Sequence, residues 1–201
     1  MSYRPFAMLA VVGFMSAAAA GCAQVPQADI DAAKAAVEEA RTTGAADYAT
    51  ASFQAAQDAQ TALDAELAAQ ADKFALTRSY TKATELAAAA KTAADQAAAD
   101  AVTGREMARN EAMTLIADAK TAVTQAQEML AKAPRGKGAA QDLAALKADL
   151  DTAATSITEA EAAFASDAFN EAKAKAEAAR TAAGNVVAAV EQAMGMRKGG
   201  V

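Results

Sequence analysis

The stretch LAALKADLDTAATSITEAEAAF, residues 143–164, places its large apolar residues at alternating intervals of three and four positions. The positions in this series are Leu143, Leu146, Leu150, Ala153, Ile157, Ala160 and Phe164. An average spacing of 3.5 residues puts them on one side of an α-helix, the arrangement of helices that pack at about +20° to one another. The stretch therefore predicts a helix in a bundle with coiled-coil-like packing.

Stripes of the same kind occur elsewhere in the chain. One contains Phe169, Ala172, Ala176, Ala179, Ala183, Val186 and Val190, and another contains Ile116, Ala119, Val123, Ala126 and Leu130. About a third of the residues are alanine, which has the highest helix propensity, and the β-branched and aromatic runs typical of strands are missing. We therefore predict an all-α protein, an elongated antiparallel helical bundle of coiled-coil-like hairpins. Because many stripe positions are alanine, its helices should approach closely around a narrow core.

An internal repeat indicates how the helices are grouped. Two short segments recur in the same order, at offsets of 86 and 89 residues, and Tyr80 then falls opposite Phe169. The paired segments are 33–37 with 119–123, and 89–94 with 178–183. Alanine-rich sequences also match by chance, but the same order of the two segments favours two tandem three-helix units, residues 28–103 and 104–194.

Turn and capping residues suggest the ends of the helices. Gly44 is suited to the position after a helix, residues 134–138 (PRGKG) form a loop, and Ser79 and Ser166-Asp167 are candidate N-caps. The predicted helices are about 28–43, 46–72 and 78–103 in the first unit, and about 104–132, 139–165 and 167–194 in the second.

The junction between the units allows two interpretations. Thr103 and Glu106 have the spacing of a capping box, which would begin a new helix. However, Gly104 alone lowers helix stability by only about 1 kcal/mol, and no proline interrupts the segment. We favour one shared helix of about 54 residues from Ser79 to Lys132, roughly 80 Å long.

The N-terminal residues indicate export. Arg4 precedes an apolar run, residues 6–20, that is shorter than the roughly 20 residues needed to span a bilayer and suits a signal peptide. Residues 19–22, AAGC, resemble a bacterial lipobox, in which the signal is removed after Gly21 and the Cys22 thiol carries lipid. The alternative is an ordinary signal peptide followed by a chance cysteine. We expect a signal peptide at 1–21 and a lipidated linker at 22–27.

Lipobox resemblance also implies a location. Several acyl chains give a stable membrane anchor where one chain gives marginal binding. Ala23 and Gln24 lack the aspartate that retains such lipoproteins in the inner membrane. The resemblance therefore implies a protein anchored in the outer membrane and facing the periplasm.

A wider resemblance covers residues 22–101. The resemblance rests on the lipobox, Pro26, the pattern Ile30-x-x-Ala33-x-x-Ala36-Val37-x-x-Ala40 with Gly44-Ala45, and the pattern from Ser79-Tyr80 to Ala90. With these motifs, the segment is similar to alanine-rich bacterial lipoproteins with a helical domain of unknown function. In other chains that domain often precedes an OmpA-type peptidoglycan-binding domain, which the residues after Met194 do not resemble. The family contributes no catalytic residue.

Composition argues against several functions. Without residues 1–21 the chain has 18 basic and 25 acidic side chains, a net charge of −7, which does not suit nucleic-acid binding. Histidine is absent, so the commonest general base and zinc ligand are missing, and no phosphate-binding glycine motif occurs. Carboxylate pairs such as Glu38-Glu39 and Asp149 with Asp151 are expected to be solvated rather than to bind a cation. We expect no enzymatic activity, no metal, and no cofactor beyond the covalent lipid.

Some residues are candidates for contacts with partners. Lys132, Arg135, Lys137 and Lys198 are candidate contacts to an anionic polymer, although a solvated loop and a disordered basic tail at 195–201 are the simpler interpretation. Six aromatic residues near predicted helix ends are expected to fill the core where alanine cannot, rather than to form a binding patch. These residues are Tyr48, Phe53, Phe74, Tyr80, Phe164 and Phe169.

Two functions remain open. The favoured one is a structural or adaptor lipoprotein that contacts peptidoglycan or envelope proteins, with self-association through the apolar stripes as a further option. The alternative is a binding or chaperone-like module for an apolar ligand or protein segment. The first predicts a rigid elongated molecule, and the second predicts an apolar cavity or stripe.

Overall fold

A computed structural model describes residues 24–133 and 139–198, which are mostly helical and contain no β-strand. Its elements are α1 (Gln27–Thr42), α2 (Ala45–Tyr48), α3 (Thr50–Ala71), a 3-10 helix (Ala75–Thr77), α4 (Thr81–Ala131), α5 (Ala139–Ala165) and α6 (Phe169–Lys198). The predicted all-α bundle is confirmed.

Helix α4 is the longest helix in the described residues, and both units pack along it. It contains 51 residues and continues through Gly104 without a break. At 1.5 Å per residue it is about 76 Å long. The preferred interpretation of the junction, one helix shared by both units, is therefore confirmed.

The first unit packs α1 and α3 along the first half of α4. Ile30 near the start of α1 shares a core cluster with Ala83, and Ala40 near its end shares another with Ala101, so α1 runs parallel to α4. Phe53 at the start of α3 belongs to the cluster of Ala101, and Leu63 to that of Ala83. Helix α3 is therefore antiparallel to α4.

The second unit repeats this arrangement on the other half of α4. The start of α6 lies beside Arg105, whose guanidinium is 5.7 Å from the ring centroid of Phe169. Further along, Lys173 of α6 pairs with Glu111 of α4, so α6 runs parallel to α4. Helix α5 packs against both and is antiparallel to them, with Lys120 of α4 paired with Glu161 near the end of α5 and Lys175 of α6 paired with Glu159. The two units are thus stacked end to end along one helix.

The core follows the apolar stripes read from the sequence. Leu150, Ala153, Ile157 and Ala160 of α5 are buried, as is every stripe residue of α6 from Phe169 to Val190. The repeat also has structural counterparts, since Ala90 and Ala179, which are 89 positions apart, are both fully buried on parallel helices. The alanine core is therefore a shared feature of both units.

Several predicted helix ends are wrong. The helix expected over 46–72 is divided at Ala49, which has an extended φ of −144°. Ser79 does not cap α4, because Tyr80 occupies the N-cap position and makes no side-chain hydrogen bond. Ser166 instead donates to the carbonyl of Ala162 at the end of α5, and Asp167 adopts a left-handed φ of 62°. Polar turn residues here form hydrogen bonds to the preceding helix or to the neighbouring unit, and do not cap the helix that follows.

The remaining ends agree more closely. Gly44 follows α1 with a φ of 92°, as expected for a residue in that position. Helix α5 has its predicted bounds, whereas α6 extends to Lys198, so the first part of the expected disordered tail is helical. The signal peptide and the 134–138 loop lie outside the described residues.

Candidate functional site

Within the described residues, the two units meet where the α2 turn, the middle of α4 and the α5–α6 turn contact one another, and we call this place the joint. The break at Ala49 leaves α2 as a single turn that presents the carbonyl of Tyr48 to α4. That carbonyl meets α4 at Gly104, where a Cβ atom would lie 2.1 Å from the Tyr48 oxygen and 3.0 Å from its carbon. Glycine is thus required at residue 104 because two backbones touch there.

The α5–α6 turn closes the joint from the other unit. The Tyr48 hydroxyl donates to the carbonyl of Asp167 over 3.2 Å, and the Asn170 amide donates to the carbonyl of Asp47 over 3.0 Å. Asp167 is also paired with Arg105 of α4 at 3.0 Å. Three elements from both units are therefore held together at one level of the rod.

Aromatic packing reinforces the same level. Phe164 and Phe169 have ring centroids 5.3 Å apart in a tilted arrangement, and Arg105 lies over the Phe169 ring. Tyr48 packs against the core of the second unit, whereas Ala45 and Ala49 beside it pack into the first. The α2 turn therefore joins two otherwise separate cores, which fixes the direction of one unit relative to the other.

Three carboxylates in the described residues have a lowered pKa, and two of them, Asp100 and Glu66, also contact a neighbouring helix. A hydrogen bond from Ser52 of α3, supported by Gln96, lowers the pKa of Asp100 on α4. The pKa of Glu66 is lowered mainly by a hydrogen bond from Gln70 and further by Lys82. These carboxylates stabilise the packing of the first unit in their charged form.

Predicted site residues fall into two groups. Gly21, Cys22, Arg135 and Lys137 lie outside the described residues, so their roles stay predictions. Lys132 is exposed at the end of α4, and the backbone of Lys198 lies at the end of the parallel helix α6, so both mark the same end of the rod.

The remaining carboxylate pairs are on exposed helix faces. Glu38 and Glu39 are exposed, with Glu38 bonded to Arg41, and Asp149 and Asp151 are exposed on α5. Across residues 24–133 and 139–198, no three metal-binding side chains of the types His, Cys, Asp and Glu come together.

Five of the six aromatic residues take part in the packing as expected. Phe53 and Phe169 are buried, and Tyr48, Tyr80 and Phe164 pack partly against the cores. Phe74 is an exception, since 72% of its surface is exposed. The prediction that it fills the core is wrong, because the α3–α4 turn directs it away from all three helices.

The two ends of the rod differ in what they contain. One end contains the start of α1, the α3–α4 turn and the start of α4, because Ile30 shares a core cluster with Leu67, Tyr80 and Ala83. We call it the near end, and the described chain begins there at Gln24. The far end contains the last residues of α4 and α6. None of the helices between residues 24 and 198 has an apolar stretch suited to crossing a membrane.

The grooves between helices are open depressions. One of about 280 Å³ is lined by Met113, Ile116, Glu161 and Phe164, with Met113 largely exposed. Ligand pockets usually bury most of the ligand's surface, whereas the wall of this groove includes the exposed Met113, so it resembles the surface between two packed helices more than an enclosed site.

Comparisons with protein-family models, curated proteins and solved structures found no match to this chain. Function must therefore be inferred from the residues and geometry of the chain itself.

The sequence pattern did not predict the joint, because its partners are far apart in the chain. Tyr48, Gly104 and Asp167 come from three different segments, and none has a distinctive local motif. The one available signal was a lone glycine inside a strongly helical stretch, which often indicates a close backbone contact.

Proposed function

We propose that the mature chain is a non-enzymatic, lipid-anchored structural or adaptor protein of the bacterial envelope. It is held at the outer membrane by acyl chains on Cys22 and extends into the periplasm. The observation that supports this best is that α1, the first described helix, begins at one end of a rod built on a 51-residue helix. An anchor at Cys22 then attaches the rod by its end.

The joint supports a mechanical role. Because Tyr48, Gly104 and Asp167 fix the two units relative to each other, the distance between the ends is set by α4 and does not depend on a flexible linker. About 76 Å therefore separate the anchored end from the far end. Peptidoglycan or an envelope protein is the expected partner at the far end.

The polar residues of the first unit are used for structure. Ser52 and Gln96 bind Asp100, and Gln70 binds both Glu66 and the backbone of Ser79. These groups hold helices and turns together, which is consistent with a protein whose shape, and not a reaction centre, is its function. The resemblance of residues 22–101 to alanine-rich bacterial lipoproteins supports the lipid anchor.

Intact mass and membrane fractionation test this proposal. The wild-type protein should lack residues 1–21, carry added acyl mass at Cys22 and sediment with outer membranes, whereas Cys22→Ser should lose both the acyl mass and the cleavage. Ala23→Asp is a matched control, because it should remain acylated but move to the inner membrane. If wild type and Cys22→Ser give the same unacylated, unsedimented species, the proposal is wrong.

A further inference from the structure

Two large apolar side chains project from the near end of the rod. Phe74 and Leu76 are each 72% exposed. Leu76 lies within the 3-10 helix of the α3–α4 turn, and Phe74 directly precedes that helix. Most of the chain's other large apolar residues with described side chains take part in the helix packing. Exposing a phenylalanine and a leucine together is unfavourable unless something covers them.

The turn has a fixed shape that keeps these side chains outward. Arg78 donates from Nε to the Lys73 carbonyl over 2.9 Å and from Nη2 to the Ala71 carbonyl over 2.8 Å, which satisfies carbonyls at the end of α3. The backbone N–H and the hydroxyl of Thr77 both donate to the Phe74 carbonyl over 2.8 Å.

A buried side chain at the end of α3 also holds the α3–α4 turn in place. Gln70 is 5% exposed, and its Oε1 accepts a hydrogen bond from the Ser79 backbone N–H over 3.1 Å. Its Nε2 donates to Glu66 over 2.7 Å. Because the backbone is held on both sides, the turn cannot easily fold Phe74 and Leu76 back onto the bundle.

The position of the turn indicates what covers it. The near end is also where the chain enters from residues 1–23, which contain the apolar run and Cys22. Gln27, the first residue of α1, comes five positions after Cys22, a span of at most about 18 Å. A membrane that holds Cys22 is therefore within reach of the turn.

Charge in the turn suits a lipid surface. Lys73 and Arg78 flank the apolar pair, and Asp72 is the one acidic residue within the turn. Lys82 follows at the start of α4, paired with Glu66 at 3.4 Å. Apolar side chains in the acyl boundary with basic side chains at the headgroups are the usual arrangement of interfacial contacts.

We propose that Phe74 and Leu76 insert into the surface of the membrane to which the N-terminus is anchored. This inference rests on the proposed function, and it adds a second point of attachment. Acyl chains on Cys22 attach the protein at one point, whereas the turn gives the near end a second contact with the bilayer and so orients the rod.

An introduced cysteine tests this contact, since Cys22 is the chain's one native cysteine and its thiol is blocked by lipid in the proposed protein. Leu76→Cys is labelled with an environment-sensitive fluorophore in the acylated protein reconstituted into vesicles. Met113→Cys is the control, because Met113 is also exposed but lies about 48 Å along α4 from its first residue. Circular dichroism confirms that both variants are helical.

We expect the label at residue 76 to shift to the blue and to be quenched by aqueous iodide several-fold less than the label at residue 113. Adding Phe74→Ser should reverse part of that protection. If the protein is acylated and floats with vesicles but both labels are quenched equally, the insertion is refuted while the anchor stands. The same protection without vesicles would also refute it, since it would indicate a second copy or another protein contact. Failure to float refutes the proposed anchor and the insertion with it.

Discussion

Replacing Gly104 with alanine should weaken the joint. At most exposed helix positions this change stabilises a protein by about 0.5–1 kcal/mol, because alanine restricts the unfolded chain. Here the new Cβ would lie 2.1 Å from the Tyr48 oxygen, so the α2 turn must retreat by about 1 Å to reach an acceptable contact. That movement lengthens the bond from Tyr48 to the Asp167 carbonyl, already 3.2 Å.

Overpacking typically costs about 1–3 kcal/mol, which exceeds the helix gain, so we expect Gly104→Ala to lower the free energy of unfolding by about 1–2 kcal/mol. Gly184→Ala is the matched control. It lies within α6, and a Cβ there has no neighbour within 4 Å, so it should raise stability by about 0.5–1 kcal/mol. Urea unfolding followed by circular dichroism compares the two. If Gly104→Ala is stabilised as much as Gly184→Ala, the Tyr48 carbonyl does not pack on α4.

Other perturbations have defined expected results. Leu63 is fully buried in the first unit, so Leu63→Ala should lower the unfolding free energy by about 2–5 kcal/mol in urea titrations, and a loss below 1 kcal/mol would contradict the packing. Tyr48→Phe removes one neutral hydrogen bond to the Asp167 carbonyl and should lower stability by about 0.5–1 kcal/mol in the same titrations, with an unchanged value showing that the bond contributes nothing. Since the pKa of Asp100 is lowered in the folded protein, its contribution is complete above its ordinary pKa of 3.8 and is lost as pH falls through the lowered value. Ser52→Ala removes the main cause, so its urea midpoint should fall less steeply with acid than that of wild type, and identical slopes would refute the assignment.

The helix packing was largely predictable because the apolar stripes determine it. The 3.5-residue spacing over Leu143–Phe164 and Phe169–Val190 identified the buried faces of α5 and α6. Continuity of α4 followed from high local propensity with only one glycine opposing it. In contrast, the break at Ala49 lies beside a contact between Tyr48 and Gly104, 56 positions apart, and local patterns carry no information on such contacts.

Turn residues were harder to assign than helix residues. Ser79 and Ser166 have the chemistry of N-caps, but short hydroxyl side chains bond as readily to the end of a preceding helix, as Ser166 does. Phe74 lies outside any periodic stripe, so the sequence could not tell whether it faces the core or the solvent. Its exposure follows from the hydrogen bonds of Arg78 and Gln70 that shape the turn.

The height of the rod above the membrane tests the central claim of an end-anchored, rigid molecule. Thr84 and Thr124 are both exposed on α4, and each hydroxyl bonds only within its own helix, so either can be replaced by a labelled cysteine at little structural cost. They are about 60 Å apart along the helix axis. In the acylated protein on vesicles, energy transfer to acceptors on lipid headgroups should be strong from residue 84 and nearly absent from residue 124. Equal transfer from both residues would mean that the rod lies along the bilayer or bends at the joint, and would contradict an end-anchored, rigid molecule.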